Sequence, residues 1–138
     1  MGNRFIKIGA TGGELAGDSA EWIGVLDTAS GLTWSVEESK AMPWKKAGAW
    51  AAKLDLAGFK DWRLPTRIEL LALVDDTRHS PSIDIAYFPG CKSEWYWTST
   101  LAAYSPGDHA WLVGFSDGSS LLGLQSDGFR VRAARSSQ

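Results

Sequence analysis

Two histidines, one cysteine and a scatter of aspartates are the residues of this 138-residue chain with the chemistry to hold a metal or drive a nucleophile. Their spacing argues against both. Cys91 is alone, so neither an internal disulfide nor a Cys-cluster metal site can be assembled. His79 and His109 stand 30 residues apart, without the HxE-type spacing that gathers ligands on one element. No Gly-x-Ser-x-Gly turn raises a serine nucleophile. Asp75, Asp76, Asp84, Asp108, Asp117 and Asp127 offer the oxygens that calcium takes. Asp117-Gly118 and Asp127-Gly128 read more simply as turns, the Gly supplying positive φ. These patterns predict no catalytic residue, no metal and no cofactor.

The length fits one domain over residues 1–138, large enough to bury roughly two thirds of its unfolded surface. A net charge of −2 gives no electrostatic reason to expect nucleic acid or an anionic membrane as partner. No segment is long and apolar enough to span a bilayer, and Met1 to Gly13 carries no signal-peptide h-region. Eight tryptophans and 15 glycines stand out. Together they suit a loop-rich fold in which Gly permits tight turns and Trp fills irregular volume, so most of the Trp are expected in the core.

The elements that must position any site divide in three. The first third reads as a strand at Arg4–Ile8, a Gly-rich loop to Asp18, and a hairpin. In that hairpin Trp22–Leu26 and Leu32–Val36 flank the turn Asp27-Thr28-Ala29-Ser30-Gly31. The middle third reads as two helices. Pro43 opens the first, Ala47, Trp50, Ala51 and Leu54 form its apolar stripe, Lys45, Lys46 and Lys53 are solvated, and Gly58 stops it. The second starts at the capping box Thr66-Arg67-Ile68-Glu69, buries Ile68, Leu71 and Leu70 or Val74, and ends at Asp75-Asp76-Thr77. The last third is β in pattern: Trp95–Ser99, then Ala110–Phe115, a turn at Asp117-Gly118, Leu121–Leu124 and a final strand after Gly128. Helices before a terminal antiparallel sheet, with much irregular loop, predict an α+β domain.

The most recognisable stretch is Gly58-Phe59-Lys60-Asp61-Trp62-Arg63-Leu64-Pro65-Thr66, followed by Ile68-Glu69-Leu70-Leu71. Trp95-Tyr96-Trp97-Thr98-Ser99-Thr100, Phe115-Ser116-Asp117-Gly118 and Val131-Arg132-Ala133-Ala134-Arg135 follow in order. Physically the first stretch reads as scaffold. Trp62 and Leu64 plug the core, Pro65 fixes the helix entry, and Asp61 and Arg63 tie the loop down by charge-assisted hydrogen bonds. These pieces resemble the C-terminal domain of the Legionella collagen-like protein and its bacterial and phage relatives, over roughly residues 20 to 135.

The resemblance implies a fold similar to C-type lectins and to the formylglycine-generating enzyme, and a role in ligand display. The copper-holding cysteine pair of the formylglycine-generating enzyme has no counterpart beside Cys91. The Glu-Pro-Asn and Trp-Asn-Asp calcium pattern of sugar-binding lectins is also missing. In such folds the final strands and their loops bind, which here corresponds to Tyr104–Phe129. Tyr104, Asp108, His109, Trp111, Ser120, Gln125 and Asp127 are the expected contact residues, aromatic and small polar side chains that combine rigid area with adaptable hydrogen bonds. The expected partner is a protein or glycan. Self-association into a fibre or adhesin tip, as a homotrimer, is the alternative, and a metal-dependent enzyme the second. The expected location is the cytoplasm or a phage particle, or the cell surface if another route exports the chain.

Overall fold

The structure, a computed structural model, describes residues 4–136. Met1–Asn3 and Ser137–Gln138, which the reading of one domain over 1–138 includes, lie outside the described residues. Seven strands and two short helices make an α+β domain that is mostly β. One sheet holds β1 (Phe5–Ile8), β2 (Gly24–Asp27), β3 (Leu32–Glu38) and β7 (Arg132–Ser136), in that order. The other holds β4 (Trp95–Leu101), β5 (His109–Gly114) and β6 (Ser120–Leu124). Every pair of neighbouring strands is antiparallel.

The terminal sheet expected from the sequence is therefore divided. After β6 the chain runs beside β4, where the Trp97 N–H donates to the Arg130 carbonyl and the Arg130 N–H to that of Trp95. It then crosses to the first sheet and completes it against β3. Pairing with a strand 100 residues away leaves no local signal, whereas the alternation within β7 does. Val131 and Ala133 enter one core cluster with Trp62, Leu64, Trp97 and Leu112. Ala134 enters the other, with Trp34, Leu70, Phe88, Tyr96 and Val113. Strands β4 and β5 split the same way, so this part of the second sheet contributes to both cores. Of the eight tryptophans, Trp34, Trp62 and Trp97 are buried and the other five partly buried.

Helix α1 (Trp44–Ala52) covers one core with Ala47 and Ala51. Pro43 is the extended residue before it rather than its first helical residue. Gly58 does not stop this helix, which ends at Ala52. With Ala57 it occupies a tight turn, φ 57° and 78°, closed by reciprocal bonds between Leu56 and Phe59. Two successive positive φ values explain the Gly. Helix α2 (Arg67–Leu71) is a single short turn, ending well before Asp75. Its capping box is present in both halves. Of the expected buried set, Leu71 and Val74 pack partly buried against the core, and one residue departs. Ile68 is 81% exposed, while Leu70 and, beyond the helix, Leu73 are buried. The chain leaves helical geometry too soon for a three-turn periodicity to hold.

Polar groups fasten these layers. The Arg132 guanidinium, fully buried, pairs with Glu38 and donates to the Ser35 and Val36 carbonyls at 2.7 and 3.0 Å. Tyr96 donates its hydroxyl to the same Glu38 carboxylate at 2.6 Å, linking β4 to the first sheet. Asp61 takes two hydrogen bonds from Arg135 on β7, at 2.6 and 3.1 Å. Arg63 instead forms a two-pronged pair with Glu69, at 2.8 and 3.0 Å. The Asp and Arg of the motif thus tie the loop down as expected, each through a separate partner. Trp62, Leu64 and Trp97 are buried as predicted.

Candidate functional site

The expected binding segment is built on the β5–β6 hairpin and the loop that enters it. That loop, Ala102–His109, is drawn tight by bonds from Asp108 N–H and His109 N–H to the Ser105 carbonyl. Strand β6 ends beside it, where the Gln125 N–H donates to the Asp108 carbonyl. The Gln125 side chain donates from Nε2 to the Pro106 and His109 carbonyls, at 3.0 and 3.2 Å. It is a staple as well as a surface group.

Around this staple, four of the seven sequence-predicted residues come together. Tyr104 is 76% exposed, and its ring lies 6.2 Å from the His109 ring at 30°. His109 is partly buried, and its Nδ1 is buried without a hydrogen-bond partner. Asp108 is exposed and accepts a weak 3.4 Å bond from Ser105 Oγ. Asp108 and Gln125, with Gly107, Leu124, Ser126 and Lys45 of α1, line a pocket of about 310 Å³. Lys45 was expected only to be solvated. Asp127 is exposed nearby, two residues past Gln125, and does not line the pocket.

Trp111 and Ser120 belong elsewhere on the hairpin. Ser120 is five residues from Gln125, about 17 Å along an extended strand. Both are held by Arg67, which the sequence reading passed over. Its guanidinium stacks 3.6 Å above the Trp111 ring. Its Nε donates to Ser120 Oγ at 2.9 Å, and Ser120 Oγ donates onward to the Leu112 carbonyl. Its backbone N–H is fixed by Thr100 Oγ1 at 2.9 Å. The sequence held one weak signal. A cation in the first turn of a helix opposes the helix dipole, so Arg67 has no helix-stabilising reason to be there.

Other concavities offer less chemistry. A roomier one, about 540 Å³, runs between α1 and the motif loop past Trp44, Trp62, Leu64 and Ser99. Most of its polar side chains are committed, Arg63 to Glu69 and Thr66 to the α2 cap, which leaves the Ser99 hydroxyl. A pocket needs a few convergent free polar groups to orient a ligand, and this groove lacks them. Cys91 is buried, and burial pushes its thiol up, away from the thiolate a nucleophile needs. Among the described residues no group of three or more His, Cys, Asp and Glu side chains is placed to hold a metal ion. Asp117 closes its turn by accepting from the Ser119 N–H and hydroxyl, which holds its carboxyl below the usual range.

No curated protein matches this chain significantly. The family model described as the Lcl C-terminal domain matches residues 24–135, from the start of β2 to the penultimate residue of β7. That span holds both core clusters, both helices and the β5–β6 hairpin, and the chain belongs to the Lcl C-terminal domain family.

Proposed function

We propose that this domain is a noncatalytic recognition module of C-type-lectin-like fold, binding a protein or glycan through the end of the β5–β6 hairpin. The observation that carries the reading is the pocket lined by Asp108 and Lys45 beside the Gln125 staple, with the exposed Tyr104 ring against His109 on the same loop. An exposed aromatic, an acid and a base stand on backbone already fixed by hydrogen bonds, so binding loses little ordering entropy. The core behind them is bolted by Arg132, Glu38 and Tyr96, which suits a rigid platform more than a moving active site. Cytoplasm or a phage particle is the proposed location.

The test is a glycan-array and protein-partner screen with the full chain, followed by calorimetry on Tyr104→Ala and Asp108→Asn. Both variants should keep the parent melting temperature and weaken the captured partner by about 1–3 kcal/mol. Parent-like binding by both variants would place recognition on another surface. Turnover of a ligand would replace the module with an enzyme.

A further inference from the structure

Seven arginines occur in the sequence, and six of them pair with a carboxylate. Arg67 does not. Among the described residues its two terminal nitrogens have no hydrogen-bond partner, while Nε and the ring face are fixed by Ser120 and Trp111. A guanidinium held this way has lost its rotamer freedom in advance, and it presents an open fork in its own plane. That geometry matches a planar carboxylate arriving edge-on.

The strand beside it is also incomplete. β6 is the outer strand of its sheet. The bonds from Gln125 N–H to Asp108 and from Gly114 N–H to Ser119 fix the alternation of the β5–β6 ladder. Residues 119, 121, 123 and 125 face β5, so Ser120, Leu122 and Leu124 turn their backbone groups outward. The Leu124 carbonyl is taken by the Asp127 N–H. The outward N–H groups of these three residues, and the carbonyls of Ser120 and Leu122, make no bond among the described residues. Natural edges are usually blunted by a charge, a proline or a bulge. Ser120-Leu121-Leu122-Gly123-Leu124 carries none, and Leu121 and Leu124 are 44% and 45% exposed.

We infer that this edge accepts an extended peptide strand of a partner protein, with an acidic side chain of that strand seated on Arg67. The inference rests on the reading of the hairpin as a recognition surface and gives that surface a ligand class. Main-chain hydrogen bonds to Ser120 and Leu122 supply affinity whatever the peptide sequence, and Arg67 supplies selectivity. Ser120 joins the two halves, since it sits on the open edge and anchors the guanidinium.

The experiment titrates the 15N-labelled full chain with acetyl-Thr-Val-Thr-Glu-Thr-Val-Thr-amide and with its Gln counterpart. Saturable shifts are expected at the Ser120, Leu122 and Leu124 amides. The Glu peptide should bind about fivefold tighter, the upper end for a partly exposed ion pair. In Arg67→Gln the two peptides should bind alike. Arg67→Lys keeps the charge without the fork and should recover only part of the difference. The parent comparison of Glu with Gln needs no variant, so a misfolded Arg67→Gln does not remove the test. Equal affinity of the two peptides for the parent, or no shift at these amides at millimolar peptide, overturns the inference. So does a concentration-dependent dimer that the peptide displaces, which would make a second copy the occupant. If a partner from the screen depends on Tyr104 and Asp108 but ignores Arg67→Gln, this inference fails while the recognition reading stands. If Tyr104→Ala and Asp108→Asn also leave that partner bound, both fail.

Discussion

The motif loop and the β5–β6 hairpin have similar polar inventories and opposite fates. Asp61, Arg63, Thr66 and Glu69 are all spent inside the domain, on β7, on each other or on the α2 cap. Around the hairpin, Tyr104 and Asp108 of the entering loop, the edge of β6, and Arg67 packed against it from α2 keep capacity that no neighbour uses. Arg67 apart, the stretch most diagnostic of the family thus has little left to offer a ligand. A side chain whose partners are all internal is constrained in type by packing and geometry. One that faces outward is constrained only by what it meets.

The comparison breaks first at the tryptophans. Trp62→Ala and Trp97→Ala should each cost about 3–5 kcal/mol, a large share of a typical domain's stability. Both rings are buried, and each indole N–H has a carbonyl partner. Urea unfolding measures it, and an unchanged midpoint for Trp62→Ala would end the scaffold reading of the motif.

Acid should act next on the same region. Hydrogen bonds from Arg135 hold Asp61 below its ordinary value, and those from Arg63 do the same for Glu69. Asp27 is pushed up by burial, yet the bonds from Arg4 and the Ala29 N–H outweigh this and leave it lowered. Carboxylates lowered in the folded state contribute stability above their unfolded values, near 4, and lose it as pH falls through the folded ones. Urea midpoints should therefore be flat near neutrality and fall below about pH 4. Glu69→Gln should flatten part of that fall; an unaltered slope would mean that the Arg63 pair contributes nothing.

Two single hydrogen-bonding changes then compare the regions directly. Thr66→Ala should cost about 1 kcal/mol, because the Glu69 N–H loses its cap. It should leave ligand binding alone. Gln125→Ala should cost a similar ~1 kcal/mol by freeing the Pro106 carbonyl and removing one of the two donors to that of His109. It should also weaken binding, since the loop it staples carries Asp108. Thermal melts with calorimetry separate the two, and a Thr66→Ala that loses its ligand would move recognition to the motif loop. The smallest stability effect belongs to Tyr104→Ala combined with Asp127→Asn, expected within about 0.5 kcal/mol of the parent. A larger loss would show that these exposed groups serve the fold.

Much of the local structure was legible. The capping box, the turn at Asp117-Gly118, the buried Trp62, Leu64 and Trp97, and the alternation of the last strand follow from short-range rules. The site was legible only in part. Tyr104, Asp108, His109 and Gln125 do converge, but Trp111 and Ser120 are drawn off to Arg67, and Lys45 joins the pocket from α1. Arg67 precedes Ser120 by 53 positions and Lys45 precedes Asp108 by 63. Nothing in either neighbourhood encodes those meetings.

By itself the sequence determined the family, the element types and much of the core, because periodicity, capping and turn chemistry act within a few positions. Only the tertiary structure decided that the last strand leaves its neighbours for β3, that Arg132 is buried on Glu38, and that Arg67 alone of the arginines lacks an acid. Those outcomes depend on which distant strands share a sheet. Strand partnership is set by the packing free energy of the whole core, which no window of adjacent residues contains.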